Sequence, residues 1–530
     1  MNKKIGIVFV LLLTIPLALS GCTKGNKTTV NNSRNGVWYE IFVRSFADSD
    51  NDGIGDIKGI IDKLDYLNDN DSSTDDDLGI NGIWLMPINP SPSYHGYDIT
   101  DYYDINPDYG TLDDFQRLLE EAHKRNIKVI MDLVLNHSSS QHPWFTEAVN
   151  DENSDYRSYY DIMPEDAEGY KFDMQIWGHN AWNKIGNNYY YAIFWDGMPD
   201  FNYNSQALRD EMIKVATYWL EKGVDGFRID AVPHIFGSGE LPENEDYDSK
   251  TKDWWQEFDT ALRKVKPDYY LVGEIWEANE KRAVYASNFD TSFNFDLSGE
   301  GILGMVKFER DFGRRNNGLI QELDMNYSAI NKYSDNFIDA PFLSNHDTQR
   351  AMDFLDGDLT NMKLATSIYM TLPGNPFIYY GEEIGMKGNK PDEYIREPFI
   401  WGDSYQTTWK PLDSNKDTLS VIKQEEEKDT LLDYYRKIIR LRQNNNALMS
   451  GELVGIETIS SKVVAYERKY EDETLIVVHN LYSNKIKIDK KELEKDYELG
   501  NVLFSNPQQP LIEDNTIELP GKCSIIFKVK

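Results

Sequence analysis

The chain has 530 residues, 40% of them hydrophobic and 13% aromatic, enough to bury at least one large core, which excludes a disordered or peptide-like scaffold. At roughly 150 residues per domain the length suggests three or four units, although α/β barrels run longer as one domain. A formal net charge of -34 argues against nucleic-acid binding, which needs basic patches, and fits a hydrated surface or one that holds cations.

In chain order, Lys3 and Lys4 precede an apolar run, Ile5 to Leu19, that is too short for a comfortable membrane span. The break Leu19-Ser20-Gly21-Cys22 resembles the bacterial lipoprotein signal, which is cut before a cysteine whose thiol carries a diacylglycerol. That resemblance implies a signal peptide over 1–21 and a lipid anchor at Cys22, with the protein extracellular and held at the cell surface. The alternative is an ordinary secretory signal with an incidental cysteine. Residues 22–35, rich in Thr, Asn and Lys, read as a flexible tether. Cys523 is then left without an intrachain partner, so no disulfide is expected.

Eight short apolar runs follow, separated by helical segments: Val37 to Phe46, Ile80 to Ile88, Lys128 to His137, Gly223 to Val232, Tyr269 to Trp276, Phe289 to Phe295, Phe337 to Asp347 and Pro376 to Glu383. Amphipathic stretches such as Thr111 to Asn126 and Ser205 to Lys222, the second capped by Ser205, fit the intervening helices. The alternation predicts an α/β fold, a (β/α)8 TIM barrel over 36–137 and 205–446. The long link 138–204, dense in Trp, Tyr, Asp and Asn, predicts a small domain inserted after strand 3, over the barrel mouth. After a final helix, Thr430 to Asn445, alternating strands at Val463 to Arg468, Thr474 to His479, Lys485 to Asp489 and Ser524 to Lys530 predict a C-terminal antiparallel β-sandwich domain over 447–530.

Barrel enzymes place their chemistry where strands run out, and polar residues gather there: Asp132, Asn136, His137; Arg228, Asp230; Glu274; His346, Asp347. In Gly226-Phe227-Arg228-Ile229-Asp230 the Arg and Asp are two apart, so both face the interior, and the guanidinium is expected to keep Asp230 ionised. Glu274 sits among apolar neighbours that should raise its pKa and favour the acid form. Two carboxyls with opposed protonation preferences are what glycoside hydrolysis requires. The bland alternative is an ion-pair network at the barrel end.

The segments Asp132 to His137, Gly226 to Asp230, Gly273-Glu274 and Asn345-His346-Asp347 resemble the four signature motifs of the alpha-amylase family of glycoside hydrolases. Met198 to Asn202, Gly374-Asn375-Pro376 and Tyr380-Gly381-Glu382 match as well, and the resemblance runs from about Val37 to the C-terminus. It implies a retaining hydrolase with Asp230 as nucleophile, Glu274 as general acid/base and Asp347 stabilising the transition state. It further implies sugar contacts from His137, Arg228 and His346, and from His95 and Tyr97 in Tyr94-His95-Gly96-Tyr97-Asp98, where the tyrosine stacks on the sugar.

Asp48-Ser49-Asp50-Asn51-Asp52-Gly53-Ile54-Gly55-Asp56 offers hard oxygen ligands for Ca²⁺ from Asp48, Asp50, Asp52 and Asp56, with the Ile54 carbonyl. Position twelve would be Gly59, so it is no EF-hand; the alternative is a solvated acidic turn. Similar loops bind calcium in α-glucosidase-like members of the family, and Asn136 and Asp200 match positions that hold a calcium in many family amylases. Pro233 stands before His234 where many amylases have Lys, which departs from the pattern. Ala231, after the expected nucleophile, leans towards α-1,4 links, and Trp144, Trp177, Trp182 and Trp195 are either sugar platforms or core. The expected enzyme is an alpha-amylase acting as a monomer on starch or maltooligosaccharides. The runner-up is an α-glucosidase, neopullulanase-like or glucan-transferring enzyme, and the remote alternative is a non-catalytic glycan-binding surface protein.

Overall fold

A computed structural model describes residues 35–237, 247–299, 301–311, 318–494 and 498–530; the expected signal peptide, Cys22 and all of the tether but Asn35 lie outside them. Eight short strands form one parallel sheet: β1 (Trp38–Ile41), β2 (Gly82–Leu85), β3 (Lys128–Leu133), β4 (Gly226–Ile229), β5 (Tyr270–Gly273), β6 (Thr291–Phe293), β7 (Ile338–Ala340) and β8 (Phe377–Tyr379). β1 pairs with both β2 and β8, and a parallel bridge from Phe342 to Phe377 links the end of β7 to β8 and closes the barrel. The strands are shorter than the apolar runs suggested. In the first run only Trp38–Ile41 pairs as a strand, and Val43–Phe46 coils into a helical turn. In the third, Val134 and Leu135 stay buried beyond the end of β3, so the apolar pattern marks burial rather than strand.

Alternate residues face the barrel axis. Trp38, Trp84, Ile130, Tyr270, Val272, Phe293, Ala340 and Phe377 make one dry cluster, with Trp38 stacked on Tyr270 at 4.9 Å. The interior is therefore a packed floor rather than a pore. One step further along the same parity the inward residues turn polar: Glu40 after Trp38, Asp132 after Ile130. Gly226 opens β4 because the chains approach closely there; a Cβ would stand 1.9 Å from the Tyr270 carbonyl oxygen.

Among the surrounding helices, α1 (Leu112–Lys124) starts in a capping box between Thr111 and Asp114. In α2 (Gln206–Glu221) Ser205 accepts the Leu208 N–H, as its sequence implied. α3 (Leu431–Gln443) is the last long barrel helix. The segment between His137 and Ser205 carries its own small antiparallel sheet, from Ile162–Pro164, Asn188–Tyr191 and Trp182–Ile185, and a two-residue hairpin tipped by Trp177 and Gly178. The antiparallel bridge His137–Asp200 fastens it to the chain just past β3, and a second bridge, Tyr160–Phe201, ties its own two ends together. Of its tryptophans, Trp182 is buried and Trp144 is wrapped by Tyr102, Tyr156 and Tyr159, so these two are core; Trp177 and Trp195 are exposed.

Beyond α3, the chain forms β9 (Glu452–Ile456), β10 (Val463–Tyr470), β11 (Glu473–Asn480), β12 (Ile486–Asp489), β13 (Leu499–Asn506), β14 (Leu511–Ile512), β15 (Thr516–Leu519) and β16 (Cys523–Val529). They make two antiparallel sheets, β9-β10-β11-β16-β13 and β12-β15-β14, around a shared core that includes Ile476, Ile488, Ile517 and Phe527. Cys523 is buried there as a free thiol, and burial pushes its pKa up to about 12. No helix among the described residues is long and apolar enough to cross a membrane.

Candidate active site

The C-terminal ends of β3, β4 and β5 bring Asp132, Arg228, Asp230 and Glu274 together, because each lies at an inward position at or just past its strand. The Arg228 guanidinium is the hub. Its Nη1 donates to Asp132 Oδ1 at 2.8 Å and Oδ2 at 2.9 Å and to Asp230 Oδ1 at 2.7 Å, while Nη2 lies 3.0 Å from Glu274 Oε2. The Ala231 N–H donates to Glu274 Oε2 at 3.0 Å from a left-handed backbone (φ 50°), a conformation that costs a non-glycine residue roughly 1–2 kcal/mol.

Across the mouth, Asp347 is gripped from two sides: Oδ1 by Arg396 Nη2 at 2.9 Å, Oδ2 by His346 Nε2 at 3.0 Å. His346 is fully buried, its ring stacked on Tyr97 (centroids 5.6 Å apart, 14° between planes), and its Nδ1 meets Glu40 Oε1 at 2.6 Å. The Tyr97 hydroxyl touches His346 Nε2 at 2.6 Å and Asp132 Oδ2 at 3.1 Å. His95 stacks on Tyr97 and accepts the Tyr97 backbone N–H on Nδ1 at 3.1 Å, which leaves the proton of the neutral ring on Nε2. His137 pairs Nδ1 with Asn136 Oδ1 at 3.2 Å, and its buried Nε2 has no hydrogen-bond partner among the described residues.

Five carboxyls (Glu40, Asp132, Asp230, Glu274, Asp347) thus contact three cations (Arg228, His346, Arg396). Full ionisation would leave two negative charges in excess in a site of low dielectric, which favours keeping protons. Burial accordingly raises Asp132 and Glu274, against the pull of Arg228. It raises Asp230 as well, with the Arg228 guanidinium opposing the rise: one cation divided among three carboxyls moderates it without cancelling it. At Asp347 burial also opposes the charge, but His346 and then Arg396 outweigh it and hold the group well below the usual carboxylate range. Burial disfavours a charged His346, yet Asp347 and Glu40 raise it to about 10. His137 has no such partner, and burial takes it down to about 3.

Every residue expected at the site is therefore near its neighbours in the motif pattern. Glu40 and Arg396 were not foreseen. Glu40 had a readable signal, since it shares the inward parity of Trp38; Arg396 comes from a loop after β8 and carries no local signal.

In the acidic loop, Asp48, Asp50 and Asp56 place carboxylate oxygens within 4.8 Å of one another. Asp48 Oδ1 accepts the Asn51 N–H at 2.7 Å and Oδ2 the Gly53 N–H at 2.8 Å; Asp56 caps the helix Ile57–Asp62. Those bonds fix the oxygens; Asp48 Oδ2 and Asp56 Oδ2 each accept a single N–H, which leaves a lone pair, and hard oxygens suit Ca²⁺. Asp52 stands outside the trio, its Oδ1 taken by the Ile54 N–H at 2.7 Å. Asn136 and Asp200 also tie segments together, Asn136 donating through Nδ2 to the His234 carbonyl at 2.9 Å and Asp200 Oδ1 accepting the Ile193 N–H at 3.1 Å.

A closed parallel barrel with paired carboxyls on one arginine at its C-terminal rim, an inserted domain after strand 3 and an antiparallel C-terminal domain defines a barrel glycoside hydrolase. The family described as "Alpha amylase, catalytic domain" matches residues 40–451, and "Alpha-amylase SusG C-terminal domain" matches residues 463–526. The chain belongs to the alpha-amylase family of glycoside hydrolases. It is 45% identical over 504 residues to Alpha-amylase 3 of Dictyoglomus thermophilum, spanning 94% of this chain and 93% of that one. The crystal structure of the alpha-amylase from H. orenii superposes with a TM-score of 0.85 at 44% identity, covering 94% of this chain and 99% of that chain. An oligo-1,6-glucosidase of Bacillus cereus is 31% identical over 93% of this chain and 98% of its own length.

Proposed function

We propose that this enzyme hydrolyses α-1,4-glucosidic bonds in starch and maltooligosaccharides with retention of configuration. The observation that carries the reading is the single guanidinium beside both Asp230 and Glu274, which sets a carboxyl from β4 and one from β5 at the same rim of the barrel, the pair of groups that glycoside hydrolysis uses. The match to the alpha-amylase family supports retention. Asp230 attacks the anomeric carbon as Glu274 gives its proton to the departing glycosidic oxygen, forming a glycosyl ester on Asp230. Glu274, now ionised, takes a proton from water, whose oxygen displaces Asp230 and restores the α configuration. Asp347, kept ionised by His346 and Arg396, stabilises positive charge on the sugar ring. Tyr97 supplies an aromatic face, and His95 and the unpartnered Nε2 of His137 are hydrogen-bonding groups for the same sugar. Ala231 adds only a methyl beside Asp230, which supports the α-1,4 preference.

In the same reading, Asp48, Asp50, Asp56 and the Ile54 carbonyl hold a Ca²⁺ ion whose role is to stiffen the loop after β1. The protein works outside the cell membrane, anchored by lipid on Cys22. Product analysis on soluble starch tests the substrate assignment: a falling series of maltooligosaccharides is expected, whereas release of glucose alone, or attack on isomaltose in preference to maltotriose, would favour the glucosidase alternative. Growth of chains longer than the substrate would favour glucan transfer.

A further inference from the structure

Asp347 owes its charge to His346, and His346 is held from behind by a residue outside all of the signature motifs. The imidazole faces three acceptor-capable groups: Glu40 Oε1 on Nδ1 at 2.6 Å, Asp347 Oδ2 on Nε2 at 3.0 Å and the Tyr97 hydroxyl on Nε2 at 2.6 Å. A neutral imidazole has one N–H, so one ring lone pair would point straight at a carboxylate oxygen. With no solvent at the ring, that repulsion has nothing to screen it. The Tyr97 hydroxyl can donate to Nε2 of a neutral ring, but Asp347 Oδ2, 3.0 Å from the same nitrogen, then faces a lone pair; the doubly protonated ring is the form that offers a proton to both carboxylates.

We propose that Glu40, on β1, is a positioning residue for the hydrolytic reaction: it keeps His346 an imidazolium, and the imidazolium keeps Asp347 ionised and aimed at the sugar. The inference rests on the reading of Asp347 as a group that acts on substrate. Glu40 is 2% exposed, and apart from His346 the cation that acts on it is Arg228. Around His346 stand Glu40 from β1, Tyr97 from the loop after β2, Asp132 from β3 and Asp347 beside it, while Arg396 Nε donates to the His346 carbonyl at 3.0 Å. Trp84 closes the ring's edge at 5.5 Å. Removing the Glu40 charge leaves burial, which lowers His346, opposed mainly by Asp347.

The test is the alkaline limb of kcat/KM for α-maltotriosyl fluoride, whose fluoride leaves without a proton from Glu274, so that the limb does not report the general acid. With His346 at about 10, the wild type should hold its kcat/KM within twofold from pH 6 to pH 9. Glu40→Gln, which keeps the shape and an acceptor oxygen but not the charge, should lose about tenfold or more over the same interval as His346 deprotonates. Glu40→Asp keeps the charge one methylene further away and should shift the limb in the same direction by less; it also serves if Glu40→Gln does not fold. An unmoved limb in either folded variant, or an equal loss at every pH, would show a merely structural Glu40 and overturn the proposal. Asp347→Asn, assayed alongside, separates the two readings: if it keeps wild-type activity, the site assignment fails, and if it is inactive while the Glu40 variants keep a flat limb, only the role of Glu40 fails.

Discussion

Arg228→Lys probes the hub of the site while preserving its charge. The guanidinium reaches three carboxyls through two nitrogens 2.7 to 3.0 Å from their oxygens. An ammonium is a single point on a straight stem and cannot span β3, β4 and β5 at once. Centred on Asp132 and Asp230, it abandons Glu274, and an ion-pair contact of 3.0 Å is lost; drawing a unit charge back from about 3 Å to about 5 Å costs about 2 kcal/mol of attraction at an effective dielectric of about 20. If that contact orients Glu274 in the transition state, kcat/KM falls by roughly ten- to a hundredfold, at 1.36 kcal/mol per decade. The pH dependence carries a second signature. Burial raises Asp230 and Arg228 opposes it, so a weaker contact lets its pKa climb and moves the acidic limb of kcat/KM to higher pH. The assay is hydrolysis of maltoheptaose from pH 4 to pH 9, with the melting temperature as a check on folding. A folded Arg228→Lys enzyme with kcat/KM within twofold of wild type and an unmoved acidic limb would refute the hub.

Chelation should lower the melting temperature, since an ion bound only by the folded loop stabilises it by mass action. Asp50→Ala should abolish that response and Asp52→Ala should keep it, because only Asp50 belongs to the carboxylate trio; the reverse result would redraw the site. Glu382 is buried with the hydroxyls of Tyr369 and Tyr435 each 2.8 Å from Oε1, and burial pushes it up to about 8. The unfolded chain releases this proton near pH 4.5, so the group's contribution to stability is complete below that pH. It falls by up to about 1.4 kcal/mol per unit as the pH rises towards 8. Glu382→Gln should therefore gain melting temperature relative to wild type as the pH is raised from 5 to 8; a constant difference would contradict the linkage.

Local physics made much of this fold readable. Thr111 and Ser205 begin their helices where their hydroxyls can cap, and the alternation of β10 and β11 places Ile476 and Val478 in the C-terminal core. The ends of the barrel strands were less legible. Val134, Leu135 and Leu343 continue an apolar pattern after pairing has stopped, because loops above the barrel floor are buried too. Strands β9, β13, β14 and β15 went unread. In β13, Val502, Phe504 and Ser505 are only partly covered, and a register irregularity beside Val502 breaks the period. At the site, motif residues could be assigned from spacing and family resemblance. The partition of charge could not, since Arg396 and Glu40 lie far along the chain from His346 and meet it only through closure of the barrel.

The stereochemistry of the first product tests the double-displacement reading most directly. Proton NMR within the first minutes of maltotriose or maltoheptaose hydrolysis, before mutarotation, should show newly released reducing ends as the α-anomer, because attack by Asp230 and then by water inverts the carbon twice. Asp230→Asn, in which the amide cannot attack, should release none. A first product in the β configuration would contradict the reading, and with it the roles given to Asp230 and Glu274.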